Sequence, residues 1–407
     1  MNTVVFVAPF FAETTLRFVD GVARLDGVRT VLVSQDDSAR LPAGLRHRLA
    51  AAVRVGDALD PQVLTQSVAG IAERTGGVRR LLGTLEELQV PLGQVRDRLG
   101  IEGMGAEAAL NFRDKARMKQ VLAAHGLPCA KHLLATSADE AAAFGALVGY
   151  PLISKPRSGS GSRGTHRLDR EADLASLLRL MPPSRETPVF LEEFITGEEH
   201  SFDSVMLGGR LAWHSVNDYL PAPLEVVREP WIQWCVVTPR DVDAPEYRGI
   251  RGVAGDALRV LGLETGFSHM EWFRRPDGSV AISEVGARPP GARFTNLISH
   301  AGQFDFFDVW ARLVVFHEFA PRHRPFAAGA AYLRGQGRGR VARVTGLDEV
   351  LAELDGLVAE VRRPSPGQSP SGTYEGEGYV IVRHPETDVV REALRRIVGT
   401  VRVELEE

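Results

Sequence analysis

A chain of 407 residues exceeds the roughly 250–300 at which one hydrophobic core stops growing, so two or three domains are expected. With 44% hydrophobic and 25% charged residues and a formal net charge of −4, the composition is that of an ordinary globular protein. It lacks the basic excess of a nucleic-acid binder, so any bound anion must be held locally.

Cys129 and Cys235 are too few for a disulfide framework or a thiolate metal site. The apolar start, TVVFVAPFF, has no basic segment before it and meets Glu13 at once, so it reads as a buried strand rather than a signal. No apolar run approaches the roughly 18–20 residues that span a bilayer. A cytoplasmic protein with no membrane or nucleic-acid partner is expected.

Residues 3–8 are a β-branched run, Glu13 to Leu25 has helical periodicity and Thr30 to Val33 is a second apolar run. This is the β-α-β opening of a parallel sheet. Leu64 to Ala72 reads as a helix and Leu81 to Leu88 as strand or turn, giving an open sheet of about four or five strands. Ala8-Pro9-Phe10 follows the first strand without glycines, so the usual crevice at the strand ends carries no phosphate fingerprint. That domain is expected to be structural or substrate-facing. Asn111 to His125 predicts one helix, with Phe112, Ala116, Met118, Val121 and Leu122 as its apolar stripe and Gly126 and Pro128 as its stop. Lys115 lies in its first turns and, taken alone, reads as a solvated lysine. Ser137 to Leu147 is a helix opened by a Ser137/Glu140 capping box.

The stretch from Tyr150 to Arg167 places Gly159, Gly161 and Gly164 after a short apolar run and Lys155. Glycines let several backbone N–H groups approach a polyanion while a lysine supplies charge. No Gly-Lys-Ser/Thr closes the run, which excludes a P-loop, and Thr165 to Leu168 looks extended rather than helical. The segment therefore predicts strand, glycine loop, strand; a polar surface hairpin is the plain alternative.

Val189 to Phe194 is a strand ending in Glu192 and Glu193, followed by Ile195 and Glu199. Such a strand end can offer backbone groups to the edge of a planar base and a carboxylate to a diol; an acidic edge strand is the alternative. Ser201 to Val205 and Arg210 to Ser215 form a hairpin at Gly208-Gly209. Asn217 to Thr238, with Tyr219, Trp231 and Trp234, reads as a covering loop or a packed surface insertion. Pro245 to Leu261 is a helix.

Gly266 to Phe273 and Val280 to Val285 are strands joined by Arg275-Pro-Asp-Gly278, so Glu271 and Glu284 can face each other. Two carboxylates on one sheet face repel unless a cation lies between, and magnesium suits oxygen ligands; a salt bridge from one of them to Arg274 or Arg288 is the alternative. His269, on the Glu271 face, is either packed or able to assist proton transfer. Gly286 to Gly291 is a rigid turn presenting Arg288. After a helix from Phe304 to Val315 comes a small β-rich unit from Ala327, in which Arg334 to Arg340 reads as a solvated turn.

In this order Lys115, Lys155 before the glycine hairpin, Glu192-Glu-Phe-Ile195 with Glu199, and Glu271 with Glu284 resemble the ATP-grasp superfamily. Glu284-Val-Gly-Ala-Arg-Pro-Pro-Gly291 is similar to its carboxylate–amine branch, the amino-acid ligases. The resemblance covers nearly the whole chain and implies an α/β ATP-grasp architecture. Residues 1–108 would be a parallel-sheet pre-ATP-grasp domain, 109–196 a first α+β clamping lobe with its lid, 197–325 a second lobe with the metal site, and 326–407 a small C-terminal β-rich α+β module.

It also implies site roles. Lys115 and Lys155 would contact ATP phosphates, with Ser160, Gly161, Ser162 and Gly164 as a lid. Glu192 would belong to the nucleotide site, the backbone of Glu193 and Ile195 would read the adenine edge, and Glu199 would hold the ribose. Glu271 and Glu284 would bind magnesium, or manganese in its place, and Arg288 would be catalytic, on the substrate carboxylate or acyl phosphate. Gly286 departs from the asparagine that many superfamily members have there. The implied reaction joins a carboxylate and an amine, amino acids foremost, through an acyl phosphate with release of ADP and phosphate. A carboxylase-like or formyl-transferring enzyme of purine or biotin type, or a non-catalytic ATP-binding regulator, are the alternatives. A homodimer is one open assembly state.

Overall fold

The computed structural model describes residues 2–159, 164–229, 232–320 and 323–406. The chain opens with β1 (Asn2–Val7), α1 (Glu13–Ala23), β2 (Val28–Ser34), α2 (Ala43–Arg48), β3 (Ala51–Arg54), α3 (Pro61–Thr75), β4 (Arg80–Leu82) and α4 (Gln89–Leu99). The strands form a parallel sheet in the order β3-β2-β1-β4. Val4 to Val7 and Val31 to Val33 are buried because helices cover both faces, the usual condition of a parallel sheet. Leu64, Val68, Leu92 and Val95 of α3 and α4 pack on one face, and Phe18, Val19 and Val22 of α1 on the other.

The helix expected from Asn111 to His125 is two helices, α5 (Ala106–Arg113) and α6 (Lys115–Ala124). Asp114 between them is extended, and its carboxylate accepts the N–H groups of Ala116 and Arg117. A short acidic side chain competes with the helix for backbone donors, which the continuous apolar stripe concealed.

Next come β5 (His132–Ala135), α7 (Ala138–Val148), β6 (Leu152–Ser154), β7 (His166–Leu168), α8 (Glu171–Leu180) and β8 (Val189–Glu193), with an antiparallel sheet ordered β5-β8-β6-β7. Ser137 caps α7, but the Glu140 carboxylate reaches Thr136 N at 2.7 Å, one residue before the capping-box partner. β6 and β7 pair antiparallel as the two strands expected around the glycines; residues 160–163 between them lie outside the described residues.

The rest comprises β9 (Glu198–Leu207), β10 (Arg210–Leu220), α9 (Pro223–Arg228), β11 (Trp234–Thr238), α10 (Arg248–Leu261), β12 (Gly266–Arg274), β13 (Val280–Gly286), α11 (Phe294–Gly302), α12 (Phe306–Phe316), β14 (Ala327–Leu333), β15 (Gly335–Gly337), β16 (Arg340–Thr345), α13 (Leu347–Glu353), β17 (Val358–Arg362), β18 (Gly378–His384), α14 (Thr387–Thr400) and β19 (Arg402–Glu406). One eight-stranded sheet runs β13-β12-β9-β10-β11-β14-β18-β17. It crosses residue 326 without a break, because β11 hydrogen-bonds directly to β14.

Two expectations are corrected here. Asn217 to Thr238 does reach a cleft, which Ala222 to Glu225 and Glu229 line, but it is not one loop: its first residues extend β10, and Trp234 to Thr238 is a buried interior strand, with Trp234 stacked on Tyr332 at 4.9 Å. A strand buried on both faces has no alternation to reveal it. The Arg334–Arg340 segment is likewise more than a turn, since β15 pairs in parallel with β19, and β16 completes that three-stranded sheet. Gly337, at φ 111°, permits this: a Cβ there would lie 2.6 Å from the Leu405 carbonyl.

The parts are bound by one aromatic seam. Phe18 of α1 meets Phe307 and Trp310 of α12 edge-on at 4.7 and 4.8 Å, fixing the N-terminal sheet beside the strands that carry Glu271 and Glu284.

Candidate functional site

A cleft of about 1110 Å³ lies where these parts meet, and Lys115, Lys155, Glu192, Glu193, Ile195, Glu199, Glu271, Glu284 and Arg288 all line it. Gly164, at φ 70°, stands beside Thr165, which does line it. Ser160, Gly161 and Ser162 lie outside the described residues.

Glu271 on β12 and Glu284 on β13 are direct cross-strand partners. Carboxylates so placed repel each other, and cations flank them. The Lys115 ammonium lies 2.8 Å from Glu284 and donates to the Gly159 carbonyl at 3.0 Å. The Asp114 break makes this possible by starting α6 at Lys115, whose own N–H is held by the Arg157 carbonyl at 2.9 Å. Lys115 is thus a buried bridge from the glycine hairpin to β13, not a solvated helix lysine.

Beside Glu271, His269 donates through Nδ1 to the Asp203 carboxylate, 2.6 Å away and fully buried. Burial alone would lower the imidazole, but Asp203 and Glu271 outweigh it and raise its pKa to about 9. Burial likewise opposes ionisation of Glu271, yet His269, Lys155 and Lys115 hold its pKa below the usual carboxylate value. His269 is accordingly a hydrogen-bonded histidine, held between two carboxylates. Neither metal-site candidate is taken by the arginines that might have claimed it: Arg274 pairs with Glu198 and Arg288 with Glu86.

Glu192 sits between two lysines, 2.6 Å from Lys155 and 3.1 Å from Lys119. Burial pushes its pKa up, but the two ammonium groups prevail and hold it at about 2. Lys155 stays charged in the same way, its desolvation outweighed by Glu192 and Glu284. The Glu192 side chain is therefore committed to lysines. Lys119 escaped the sequence reading. Its one signal is its spacing, four residues after Lys115 on the same helical face, where two buried cations require an anion.

The Glu193 carboxylate accepts from Arg275 at 3.0 Å and from the Lys131 N–H at 3.2 Å. Its backbone N–H is spent on the Lys131 carbonyl and that of Phe194 on Pro151, while among the described residues no backbone acceptor meets the Ile195 N–H. Glu199 opens partly into the cleft but is deeply enclosed, and burial followed by the nearby Glu271 raises its pKa to about 8.

Arg288 donates through Nε to Glu86, and through Nη1 to the Pro289 carbonyl at 2.9 Å. Glu86 also faces Arg113 at 3.9 Å. A Cβ at Gly286 would stand 3.5 Å from the Glu86 carboxylate, an ordinary contact distance. Glu86 belongs to the segment read as strand or turn, and its partner is 202 positions away, a separation no local pattern reports.

Residues 120–304 match the family model of the ATP-grasp domain. The chain carries an ATP-grasp domain. The domain's match takes in β5 to β13, with Lys155, Glu271, Glu284 and Arg288, while Lys115 lies just before it. Over 249 residues the chain is 26% identical to an L-arginine-specific L-amino acid ligase of Bacillus subtilis, across 60% of this chain and 59% of that protein, so the match spans less than two-thirds of the relative. Among solved structures, an L-amino acid ligase from Bacillus licheniformis shares the ATP-grasp fold at TM-score 0.77 and 18% identity, covering 100% of this chain and 99% of that one. N5-carboxyaminoimidazole ribonucleotide synthetase from Thermotoga maritima shares it at TM-score 0.71 and 17% identity, with 100% of both chains covered. The fold is therefore the ATP-grasp α/β fold over the whole chain, with a parallel N-terminal sheet, a large antiparallel sheet and a small mixed sheet at the C-terminal end. Among the described residues no helix is long and apolar enough to cross a membrane.

The ATP-grasp cleft fits a divalent cation by its chemistry. Glu271 and Glu284 offer hard oxygen donors suited to magnesium or manganese. Among the described residues no third His, Cys, Asp or Glu joins them in a ligand cluster, so other ligands would be phosphate oxygens and water.

Proposed function

We propose that this protein is an ATP-dependent carboxylate–amine ligase, joining amino acids or similar acids and amines with release of ADP and phosphate. The observation that carries this reading is the cross-strand pair Glu271 and Glu284 facing one cleft with the buried cations Lys115 and Lys155 and the arginine Arg288. Phosphoryl transfer needs positioning and charge neutralisation rather than a protein nucleophile, and these residue types supply both.

Lys115 and Lys155 would hold the phosphates, the strand end at Glu193 and Ile195 the base edge, and Glu199 the ribose. Residues 109–196 and 197–325 would be the two clamping lobes, with 1–108 facing substrate and 326–407 extending the large sheet. Magnesium on Glu271 and Glu284 would screen the phosphate oxygens against the incoming carboxylate. The substrate carboxylate oxygen would attack the γ-phosphorus and expel ADP. The amine would then attack the carbonyl of the acyl phosphate, lose its proton and expel phosphate. Arg288 would leave Glu86 to meet the acyl phosphate, and the planar guanidinium suits that oxyanion.

A purine-type reading has one observation in its favour, the likeness of fold to the Thermotoga maritima synthetase. Phosphate release should be followed with pairs of amino acids, with mass detection of product, and in parallel with bicarbonate and an aminoimidazole ribonucleotide. ADP-forming turnover that needs both an acid and an amine, with an amide product, is expected. Turnover only with bicarbonate would support the purine reading, and ATP binding without turnover on any pair would sink the ligase.

A further inference from the structure

Lys119 is fully buried on α6 and lies outside the lining of the cleft. An isolated buried ammonium is costly unless a counter-charge meets it. Its Nζ has two partners, Glu192 Oε2 at 3.1 Å and the Ile282 carbonyl at 3.4 Å. Among the described residues the Glu192 oxygen it faces receives no aligned hydrogen bond, so the contact acts through charge. On the other oxygen of Glu192, Lys155 sits at 2.6 Å.

The arithmetic of this trio is two positive charges and one negative. Were Glu192 to face Lys155 alone, the pair would be neutral, and the lysine that reaches the cleft would have its field cancelled by the group that fixes it. With Lys119 on the far side, Glu192 still anchors Lys155, and the trio keeps one positive charge toward the cleft. The Ile282 contact adds position, since Ile282 stands two residues before Glu284 on β13.

We propose that Lys119 is a positioning residue that offsets Glu192 from beneath, so that Lys155 is held rigidly without losing its attraction for a polyphosphate. The inference rests on the reading of the cleft as an ATP site.

The test is calorimetric binding of the β,γ-imido analogue of ATP with magnesium. Lys119→Gln keeps a polar group and removes the charge. It should weaken binding roughly 10- to 30-fold, the loss of one charge acting through a partly screened interior. Glu192→Gln added to Lys119→Gln restores one net charge and should recover most of the affinity, whereas a merely structural role leaves the double variant no better than the single one. Unchanged binding by Lys119→Gln, or no recovery in the double variant, overturns the proposal. Should Lys119→Gln not fold, Lys119→Met with Glu192→Gln buries no unneutralised carboxylate: affinity within about threefold of wild type supports the proposal, and a loss above tenfold overturns it. Absence of binding by the wild-type protein sinks the ATP reading and this inference together, while wild-type binding with an indifferent Lys119→Gln sinks this inference alone.

Discussion

Removing one carboxylate from the Glu271–Glu284 pair is expected to act on the empty and on the loaded protein separately. Glu284→Gln leaves the buried Lys115 ammonium without its partner at 2.8 Å, and Glu271→Gln removes an ionised group that His269 and the lysines hold below the usual carboxylate value, so the ligand-free protein should melt at a lower temperature. Stabilisation by magnesium with ATP should weaken by at least the 10- to 100-fold in metal affinity typical for loss of a supporting partner. Thermal melts across a magnesium titration check both, and unaltered magnesium dependence in both variants removes the metal assignment. Arg288→Ala should lower kcat by about 10²–10³ with little change in ATP affinity, as for one lost oxyanion donor; loss of ATP binding instead would move Arg288 to the nucleotide site. At this scale the residues that were legible are those carried by short motifs, such as Lys155 beside its glycines. Lys119 and Glu86 were not, because their partners lie 73 and 202 positions away.

At the scale of elements, Glu360 of β17 binds α11: its carboxylate accepts from Asn296 at 2.9 and 3.0 Å, faces His300 at 3.1 Å and receives the Tyr379 hydroxyl at 2.6 Å. The His300 bond outweighs burial and, with Tyr379 and Asn296, holds the carboxyl at about 2, against 4.5 when free. A lowered folded pKa gives stability that is full above the unfolded value and is lost as pH falls from about 4.5 toward 2. Glu360→Gln should therefore destabilise by about 1–2 kcal/mol at neutral pH, and the gap should narrow as denaturation is repeated from pH about 5 down to about 3. A constant gap would mean the charge is not what matters. Amphipathic helices and hairpins were readable because solvent imposes a period on them, as at α10 or β12 and β13. The interior strand β11 has no solvent face, and the break at Asp114 is a contest for two N–H groups inside an unbroken apolar stripe.

For the whole molecule, the sheet that crosses residue 326 decides what can stand alone. Ending the chain at residue 325 would strip β11 of β14 and Trp234 of Tyr332, leaving an apolar strand edge open to other chains. Such a truncation is expected to be insoluble or to lack a cooperative melt. A soluble, cooperatively melting fragment that binds ATP would show that the C-terminal strands are an appendage.

The β5–β8 sheet with α7 and α8 joins the rest of the protein through residues 125–131 and again through residues 194–197, between α6 and β5 and between β8 and β9. These two crossings are tied side by side: the Glu193 N–H donates to the Lys131 carbonyl at 2.9 Å, and the Lys131 N–H to the Glu193 carboxylate at 3.2 Å. A third tie lies across the cleft, where the Arg157 and Gly159 carbonyls take the Lys115 N–H and ammonium. Three separated points fix a plane, so Glu193 and Ile195 face the cleft from a frame braced on both of its sides.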